Sequence, residues 1–528
     1  VATFEPGEGF WSKHEHATDQ HEVNTLLMIR YLVRGYDHTG DRGYIEAALR
    51  LYEDWREHSS VDTFHSPYTW GEHAVAVRLY SIMALAASIS SREDFTAELE
   101  TILADIHRHA RLLSEWGFYS TWSNHGMFQN RALLGMAVIF DFFADSGRLL
   151  SIAVDRPLAW IRSKVCRNGV LDEGSAAYQF IVLDLASRVN ALLDKAGHPQ
   201  PDLAEMVRKM AAVARLLVKP NGRLWGFGDT WASGRVQVSL DQLPALERDL
   251  LARALRAGDP DTAWHEYAVF PESGYFFFVE NQPGNEDDAY LGFDFGVSTR
   301  DTHFQDDTGN FELMLRGHCV IEDSGYFGLS AGPIGDYYRS AASHTTIMFT
   351  DKLSTRDIAE TRLDSFTESP EALEVTASFR TSEGHWFQRT LRYYLDDFVL
   401  IVCDRFRRAQ GSGASLFFHY APELDAHVHA GSEHSVVRLS KPDAAFAHHI
   451  LSQAAPSVTL HRGETDPYLG WISRAQGEKQ PRWTAVVRFS EPEGELISVF
   501  AAADVDIAPY LHDGTAGLSS GAPSGSGS

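Results

Sequence analysis

Three stretches of the chain gather residues able to hold a charge or move a proton. The first, Thr121-Trp-Ser-Asn-His-Gly-Met-Phe-Gln-Asn-Arg131, places Asn124, His125 and Gly126 at the mouth of an apolar run, Ala132 to Phe143. Phe128, Ala132, Leu133, Met136 and Phe140 recur at helical spacing, which predicts a buried helix. Asn124 suits its N-cap, and Gly126 lets the backbone come close to something outside. A helix start carries partial positive charge and unpaired N–H groups. With Asn124, His125 and Arg131 beside it, this one suits a carboxylate ligand. The second stretch, Gly169-Val-Leu-Asp-Glu-Gly-Ser-Ala-Ala-Tyr-Gln179, is a turn feeding a helix. Tyr178 falls in the first helical turn, where its hydroxyl can stay free while the helix packs. The third, Arg300-Asp-Thr-His-Phe-Gln-Asp-Asp307, is the densest polar cluster; if extended, His303, Gln305 and Asp307 face one side. The plain alternatives are a capping Asn beside a surface His, a Tyr anchored in the core, and a chance polar cluster.

Tyr68-Thr-Trp-Gly-Glu-His-Ala-Val-Ala-Val-Arg78 opens a further helix, with Trp70 and His73 at i and i+3 and Arg78 beyond. A Trp face can carry a sugar ring, and Arg can pair with a carboxylate. Core packing with a capping Glu72 is the structural alternative. The loop Asn221-Gly-Arg-Leu-Trp-Gly-Phe-Gly-Asp229 is rich in Gly but lacks the Lys-Ser/Thr of a phosphate-binding loop. Downstream lie Glu322-Asp-Ser-Gly325 and Tyr337-Tyr-Arg-Ser-Ala-Ala-Ser-His344, so two His and several carboxylates near one sheet could bind a metal. Spacing alone is no ligand signature in a chain with 24 His.

These residues need elements to position them. Helical periodicity marks His21 to Arg34, Tyr44 to His58, Ala74 to Ser88, Phe95 to Trp116, Arg131 to Phe143, Leu149 to Lys164, Tyr178 to Lys195 and Leu203 to Val218. Short turns separate them, which predicts antiparallel helical hairpins, in a solenoid or an α/α toroid. Near Ala268 the pattern changes to short strand-type runs bounded by Gly, Pro, Asp or Asn, beginning with Tyr275-Phe-Phe-Phe-Val279. The chain is therefore read as a helical domain over residues 1–265, an antiparallel β-sandwich over 266–510, and a flexible tail over 511–528.

At 528 residues with 44% hydrophobic content, two domains with their own cores are expected. A formal net charge of -26 disfavours nucleic acid and acidic membrane surfaces as partners, though a local basic pocket can still take an anionic substrate. Three widely spaced Cys give no disulfide framework. No apolar run approaches the length of a membrane span. The opening Val-Ala-Thr-Phe carries no signal peptide, and a trimmed leader would look the same. Secreted, periplasmic and cytoplasmic locations all stay open.

Together the segments resemble the heparinase II/III-like polysaccharide lyases, a superfamily that includes several alginate lyases. The resemblance rests on Trp70…Glu72-His73…Arg78, Asn124-His125-Gly126, Gly174-Ser175…Tyr178 and Gly222…Gly228-Asp229. It continues through Phe270-Pro…Gly274-Tyr275, His303…Asp307…Phe311-Glu-Leu313, Asp323-Ser-Gly325 and Arg339…His344-Thr-Thr. It implies an incomplete (α/α) toroid followed by an antiparallel β-sandwich, and β-elimination on a uronate-containing polysaccharide. Alginate, glycosaminoglycans and glucuronans are all candidate polymers, and the Asn-His-Gly form is similar to the alginate-cleaving branch.

By that resemblance Asn124, with His125 or a nearby Arg, neutralises the uronate carboxylate, and Tyr178 is the acid that protonates the leaving oxygen. The base is Tyr178, His125 or His303. A Tyr near its usual pKa of about 10 is a poor base at neutral pH, whereas His titrates there unaided. Trp70, His73, Arg78, Gln129, Arg131, Arg300, Tyr338 and Arg339 are the expected substrate contacts. No cofactor is required for the chemistry. A structural zinc or other divalent ion is implied at Gln305, Asp323 and His344; Gln is a poor zinc ligand, so either the site is empty or a group such as Asp307 substitutes. Two other readings stand beside the lyase. One is a glycoside hydrolase using carboxylates among Asp172, Glu173 and Asp229. The other is a non-catalytic carbohydrate-binding protein.

Overall fold

The computed structural model describes residues 11, 17–59, 68–231, 243, 245–254, 264–282, 287–296, 303–328, 332–349, 358–411, 413–431 and 433–510. Arg300 and the tail over 511–528 lie outside them. Contacts divide the chain into two compact units: Val1–Val165 with Val182–Val207, and Cys166–Ile181 with Arg208–Ser528. The change from helix to strand falls between Ala254 and Trp264, but the Tyr178 turn belongs to the second, strand-rich unit.

The described helices before the first strand are α1 (Ala17–Asn24), α2 (Leu27–Thr39), α3 (Arg42–His58), α4 (Glu72–Ile89), α5 (Thr96–Ser114), α6 (His125–Ile139), α7 (Ser146–Lys164), α8 (Ala176–Lys195), α9 (Pro201–Leu216) and α10 (Ala245–Ala254). In the helical unit α2 packs on α3, α4 on α5 and α6, and α6 on α7. The expected first helix is two: Leu26 takes a left-handed φ of 55° and breaks it. Helix α4 shows how these elements are held. Val75, Leu79, Ile82 and Leu85 are fully buried, each burial being worth roughly 1.5–3 kcal/mol. Contrary to the sequence expectation, α4 is long and apolar enough to cross a membrane, but 61% of its apolar window is buried inside the protein. Its burial of Arg78 among protein partners marks a core helix.

The strand-rich unit carries a five-stranded antiparallel sheet in sequential order: β1 (Trp264–Phe270), β2 (Tyr275–Asn281), β3 (Ala289–Asp294), β4 (Phe311–Leu315) and β5 (His318–Ile321). The near-continuous apolar run of β2 follows from cover on both faces. Phe276 and Phe278 enter the main β core, while Tyr275 and Phe277 pack against Trp225. An eight-stranded antiparallel sheet runs in the order Asp425–His429, His434–Lys441, Ala444–Leu451, Glu493–Ala502, Val399–Arg407, Trp386–Tyr394, Ala372–Thr381, Ile358–Glu368. A four-stranded sheet is built from Ser457–Arg462, Trp483–Phe489, Ala414–His419 and Ile347–Met348. All three contribute to one core, from Phe278 and Leu313 through Leu391 and Phe500 to Leu416 and Val487. Inside it Arg389 makes a two-pronged ion pair with Asp404 (2.7 and 2.8 Å), both side chains fully buried.

Candidate active site

In the strand-rich unit, tight backbone approaches bring three separate loops together. Gly174 (φ 59°) sits against the ring of Phe304, where a side-chain carbon would come within 2.5 Å. At Gly228 (φ 54°) a side-chain carbon would fall 1.8 Å from the Gly174 carbonyl. Only Gly fits either place. The Asp229 N–H donates to the His303 carbonyl (3.0 Å), and the Gly228 N–H donates to Asp307 Oδ2 (2.8 Å). Ser175 donates its hydroxyl to the Asp229 carbonyl (2.9 Å), locking the start of α8 to the same loop. Gln179 closes the turn from behind, taking the Leu171 N–H and donating to the Gly169 carbonyl.

The result is a phenol lying on an imidazole. The rings of Tyr178 and His303 stack with centroids 3.6 Å apart and planes 20° apart. Trp231 meets Tyr178 edge-on at 6.3 Å and lies 6.3 Å from Tyr326. Beneath the pair, Asp229 is 1% exposed and gathers three donors. Its Oδ2 faces His303 Nδ1 (3.3 Å) and Arg339 Nη2 (3.4 Å), and its Oδ1 accepts from Gln305 Nε2 (2.9 Å). His303 Nε2 and the Tyr178 hydroxyl have no hydrogen-bond partner among the described residues. Burial, then the negative charge of Asp229 and the neighbouring Tyr326 and Glu173, pushes the Tyr178 phenol well above its usual range. It therefore keeps its proton at neutral pH. The arrangement presents a proton donor beside an imidazole whose Nδ1 is anchored, leaving Nε2 to accept.

The helical unit holds a second polar cluster. Asn124 occupies the N-cap position of α6, but its side chain makes no capping bond; its carbonyl takes the N–H groups of Met127 and Phe128. His125 Nδ1 lies 2.9 Å from Glu72 Oε1, and that contact holds the Glu72 carboxyl below its usual range. His73 is sandwiched between His125 (4.3 Å) and His21 (4.7 Å). Burial, then the charges of His125 and His21, lowers the His73 imidazole to about 2.

Several expected contacts are corrected. Arg78 is fully buried, donates to His109 and to the Asn24 and Thr69 carbonyls, and lies between the Trp55 and Trp70 rings. Trp70 donates its indole N–H to the Ser59 carbonyl, so both are core and reach no ligand. Gln129 is 1% exposed; its amide takes the Ser120 N–H and donates to the Phe118 carbonyl, which makes it a loop clamp. Tyr338 is buried against Phe327 and Tyr337. Arg131 lies over the Tyr80 ring (4.6 Å). Gly126 does approach something closely, but that is the Ser120 carbonyl and the Trp160 indole of its own unit. His73 is a stacked wall of the histidine cluster, and Arg339 belongs to the Asp229 hub.

The expected metal set fares no better. Asp323 Oδ1 takes the Gly325 N–H, and its Oδ2 takes Asn310 and His344 Nδ1. Asp323 thus orients His344 instead of offering a ligand atom. Buried atoms without a partner remain at Gln305 Oε1 and His344 Nε2, two donors where zinc takes four. Asp307 offers no obvious third: burial first, against a pull from His344, raises its carboxyl to about 7. Among the described residues no cluster of three His, Cys, Asp or Glu is arranged to hold a metal. The residues do not fit a zinc centre.

The carboxylates of the hydrolase reading are not paired across an opening. Asp229 is held by its hub and Glu173 is buried, while Asp172 lines a separate cavity of about 260 Å³ with Glu272 and Cys166. The residue that sequence reading missed is Asp229 as an organiser. Its signal was the Gly228-Asp229 pair, in which a forced backbone turn presents a carboxylate.

Models of one family match nearly the whole chain. Heparinase II/III N-terminus matches residues 11–244, and Heparinase II/III-like, C-terminal, matches residues 264–501. The heparin-sulfate lyase of Pedobacter heparinus is 24% identical over an alignment of 332 residues that covers 59% of this chain and 49% of that protein. The heparin-sulfate lyase of Bacteroides thetaiotaomicron is 22% identical over 357 residues, covering 60% and 49%. The chain thus spans about half the length of the curated relatives it matches. A crystal structure of heparinase III superimposes with a TM-score of 0.82 at 17% identity, over 94% of this chain and 79% of that one. The heparan sulfate lyase of Pedobacter heparinus superimposes at 0.69, also at 17% identity, over 94% and 78%. The fold is therefore the expected one, an incomplete (α/α) toroid followed by an antiparallel β-sandwich. With both family halves matched in order, the chain belongs to the heparinase II/III-like superfamily.

Proposed function

We propose that the protein is a polysaccharide lyase that cleaves a uronate-containing glycosaminoglycan or related polymer by β-elimination. The observation that carries this is the stacked Tyr178–His303 pair, with His303 Nδ1 anchored on Asp229 and the Tyr178 hydroxyl unpaired among the described residues. Elimination needs a base for the C5 proton and an acid for the departing O4, and these two groups supply them. His303 Nε2 takes the C5 proton. The electron pair forms the C4–C5 double bond, the C4–O4 bond breaks, and Tyr178 gives its proton to O4. The raised phenol argues for Tyr178 as the acid and against it as the base. The reaction also needs the uronate carboxylate neutralised, which lowers the cost of enolate-like charge, and the sequence resemblance gives that role to Asn124 and His125. The names of the relatives, heparin-sulfate lyases, favour glycosaminoglycans over alginate. No cofactor takes part, and no step passes through a metal.

The test is incubation with heparan sulfate, hyaluronan, chondroitin and alginate, followed by ultraviolet absorbance of the unsaturated product. Tyr178→Phe keeps the ring stack and removes only the hydroxyl. Its kcat should fall by roughly 10²- to 10⁴-fold, the usual worth of a positioned acid. Saturated ends on the products, or full activity in Tyr178→Phe, would reject the mechanism.

A further inference from the structure

The loop leading into Asn124 is well hydrogen-bonded, yet it leaves two indoles in solvent. Trp116 is 71% exposed and Trp122 is 54% exposed. The backbone between them is held at several points. Gln129 clamps the Phe118 carbonyl and the Ser120 N–H (both 2.8 Å), and the Ser120 and Ser123 hydroxyls pair at 3.0 Å. Trp160 donates to the Ser123 carbonyl (3.2 Å). Tyr119 is held by Asn130 (3.0 Å) and covered by the Arg156 guanidinium at 4.3 Å. A large apolar ring is normally buried, and in a slack loop it would fold back onto the protein. Here both rings stand in solvent on a hydrogen-bonded frame. Neither indole N–H has a hydrogen-bond partner among the described residues.

We propose that Trp122 is a sugar-stacking platform that binds a pyranose ring of the polymer next to the residue held by Asn124 and His125, with Trp116 extending the platform for longer chains. This rests on the lyase reading above. Trp122 lies two residues before Asn124, next to the Ser123 carbonyl that Trp160 holds, so its backbone is placed close to the carboxylate-binding pair. A pyranose offers an apolar face to the ring and hydroxyls to the free indole N–H. A preorganised aromatic ring binds with little ordering cost. The other exposed apolar side chains of this neighbourhood, Ile139 and Phe142, lie at the far end of α6, about 20 Å along a helix of this length.

The test compares Trp122→Ala, Trp122→Phe and Trp116→Ala in the full chain, on long heparan sulfate or hyaluronan and on the shortest oligosaccharide cleaved. Trp122→Ala should raise KM for the polymer about tenfold with kcat within about twofold, and Trp122→Phe should recover most of it. Trp116→Ala should raise KM on the long polymer alone. An unchanged KM in Trp122→Ala overturns the proposal. If no polymer yields unsaturated product, the lyase reading fails, and retardation in gels containing each polymer still tests the platform. Retardation lost in Trp122→Ala then supports it; retardation equal in both, or absent in the native chain, overturns it. Self-association of the native chain that Trp122→Ala abolishes assigns the rings to a second copy and also overturns it. The thermal midpoint should be unchanged, since both rings are exposed.

Discussion

Replacing Asp229 by Asn removes one charge and almost no volume, so it isolates what the buried carboxylate does for His303. In the native site Oδ2 serves both His303 Nδ1 (3.3 Å) and Arg339 (3.4 Å), while Oδ1 serves Gln305 (2.9 Å). An amide has one acceptor where the carboxylate had two. If its NH₂ faces His303, the imidazole must accept at Nδ1, its proton moves to Nε2, and the accepting nitrogen is lost. If its NH₂ faces Gln305, that side chain can turn its partnerless Oε1 inward, and only the charge is lost. The second arrangement is the milder and sets the minimum effect. Weakening a hydrogen bond of roughly 1.5–3 kcal/mol to a neutral one of roughly 0.5–1.5 gives a minimum fall in kcat of about fivefold to tenfold, and losing the bond outright raises it to as much as about 150-fold. KM should move less than about threefold, because Asp229 is buried and touches no substrate. The assay is unsaturated-product formation on the preferred polymer, with the thermal midpoint as a folding control. A variant with native kcat and an intact fold would refute the claim that Asp229 sets the working form of His303.

Two further outcomes follow from the structure. The His73 imidazole is held neutral, lowered from its ordinary 6.5 to about 2 by burial and then by the charges of His125 and His21, so the unfolded chain binds a proton there that the folded chain does not. Its contribution to stability is present above pH 6.5 and is lost as pH falls toward 2, roughly 2 kcal/mol of it by pH 5. Denaturant midpoints of the helical unit should fall over that window, and His73→Phe should flatten the slope; a slope unchanged in His73→Phe contradicts it. In the β core, Arg389→Ala strands the fully buried Asp404 carboxylate and should cost about 3–5 kcal/mol, whereas Arg389→Met with Asp404→Leu should cost far less. Equal losses in the single and double variants would show that the pair's charge is not what matters.

Most of the fold was legible because its helices obey one period. The expected helices at Tyr44, Ala74, Leu149 and Tyr178 fall within a few residues of α3, α4, α7 and α8. The strand at Trp386–Tyr394 was equally plain, since alternate residues there are buried. Strands that escaped had no such signal. Ile358–Glu368 is an edge strand whose side chains are mostly half-buried or exposed, so its composition reads as a polar loop. Thr345 to Phe349 erred the other way. It is apolar enough for a strand, yet only Ile347–Met348 pairs, because the Thr345 N–H donates to the Asn310 side chain and the Thr346 hydroxyl to the Thr308 carbonyl.

The site was half legible, and the missing half has a physical cause. Sequence names a residue's chemistry but not which way it faces. Arg78 and Trp70 look like a sugar site because a cation and an aromatic ring are what a sugar site needs. The same two groups stabilise each other in a dry core, and the fully buried Arg78, 4.8 Å from the Trp70 ring, shows which use the fold makes of them. Trp122 and Trp116 drew no notice for the converse reason, since a Trp in a short aromatic stretch reads as core. What separates the two cases is the clamp. Gln129, itself expected at the ligand, is the buried side chain that holds the Phe118–Ser120 backbone just before the exposed Trp122. One misplaced expectation thus accounts for the overlooked surface, and the same holds at Asp229. Read as a hydrolase carboxylate, it is instead the anion that fixes an imidazole, and only the forced turn at Gly228 tells the two roles apart.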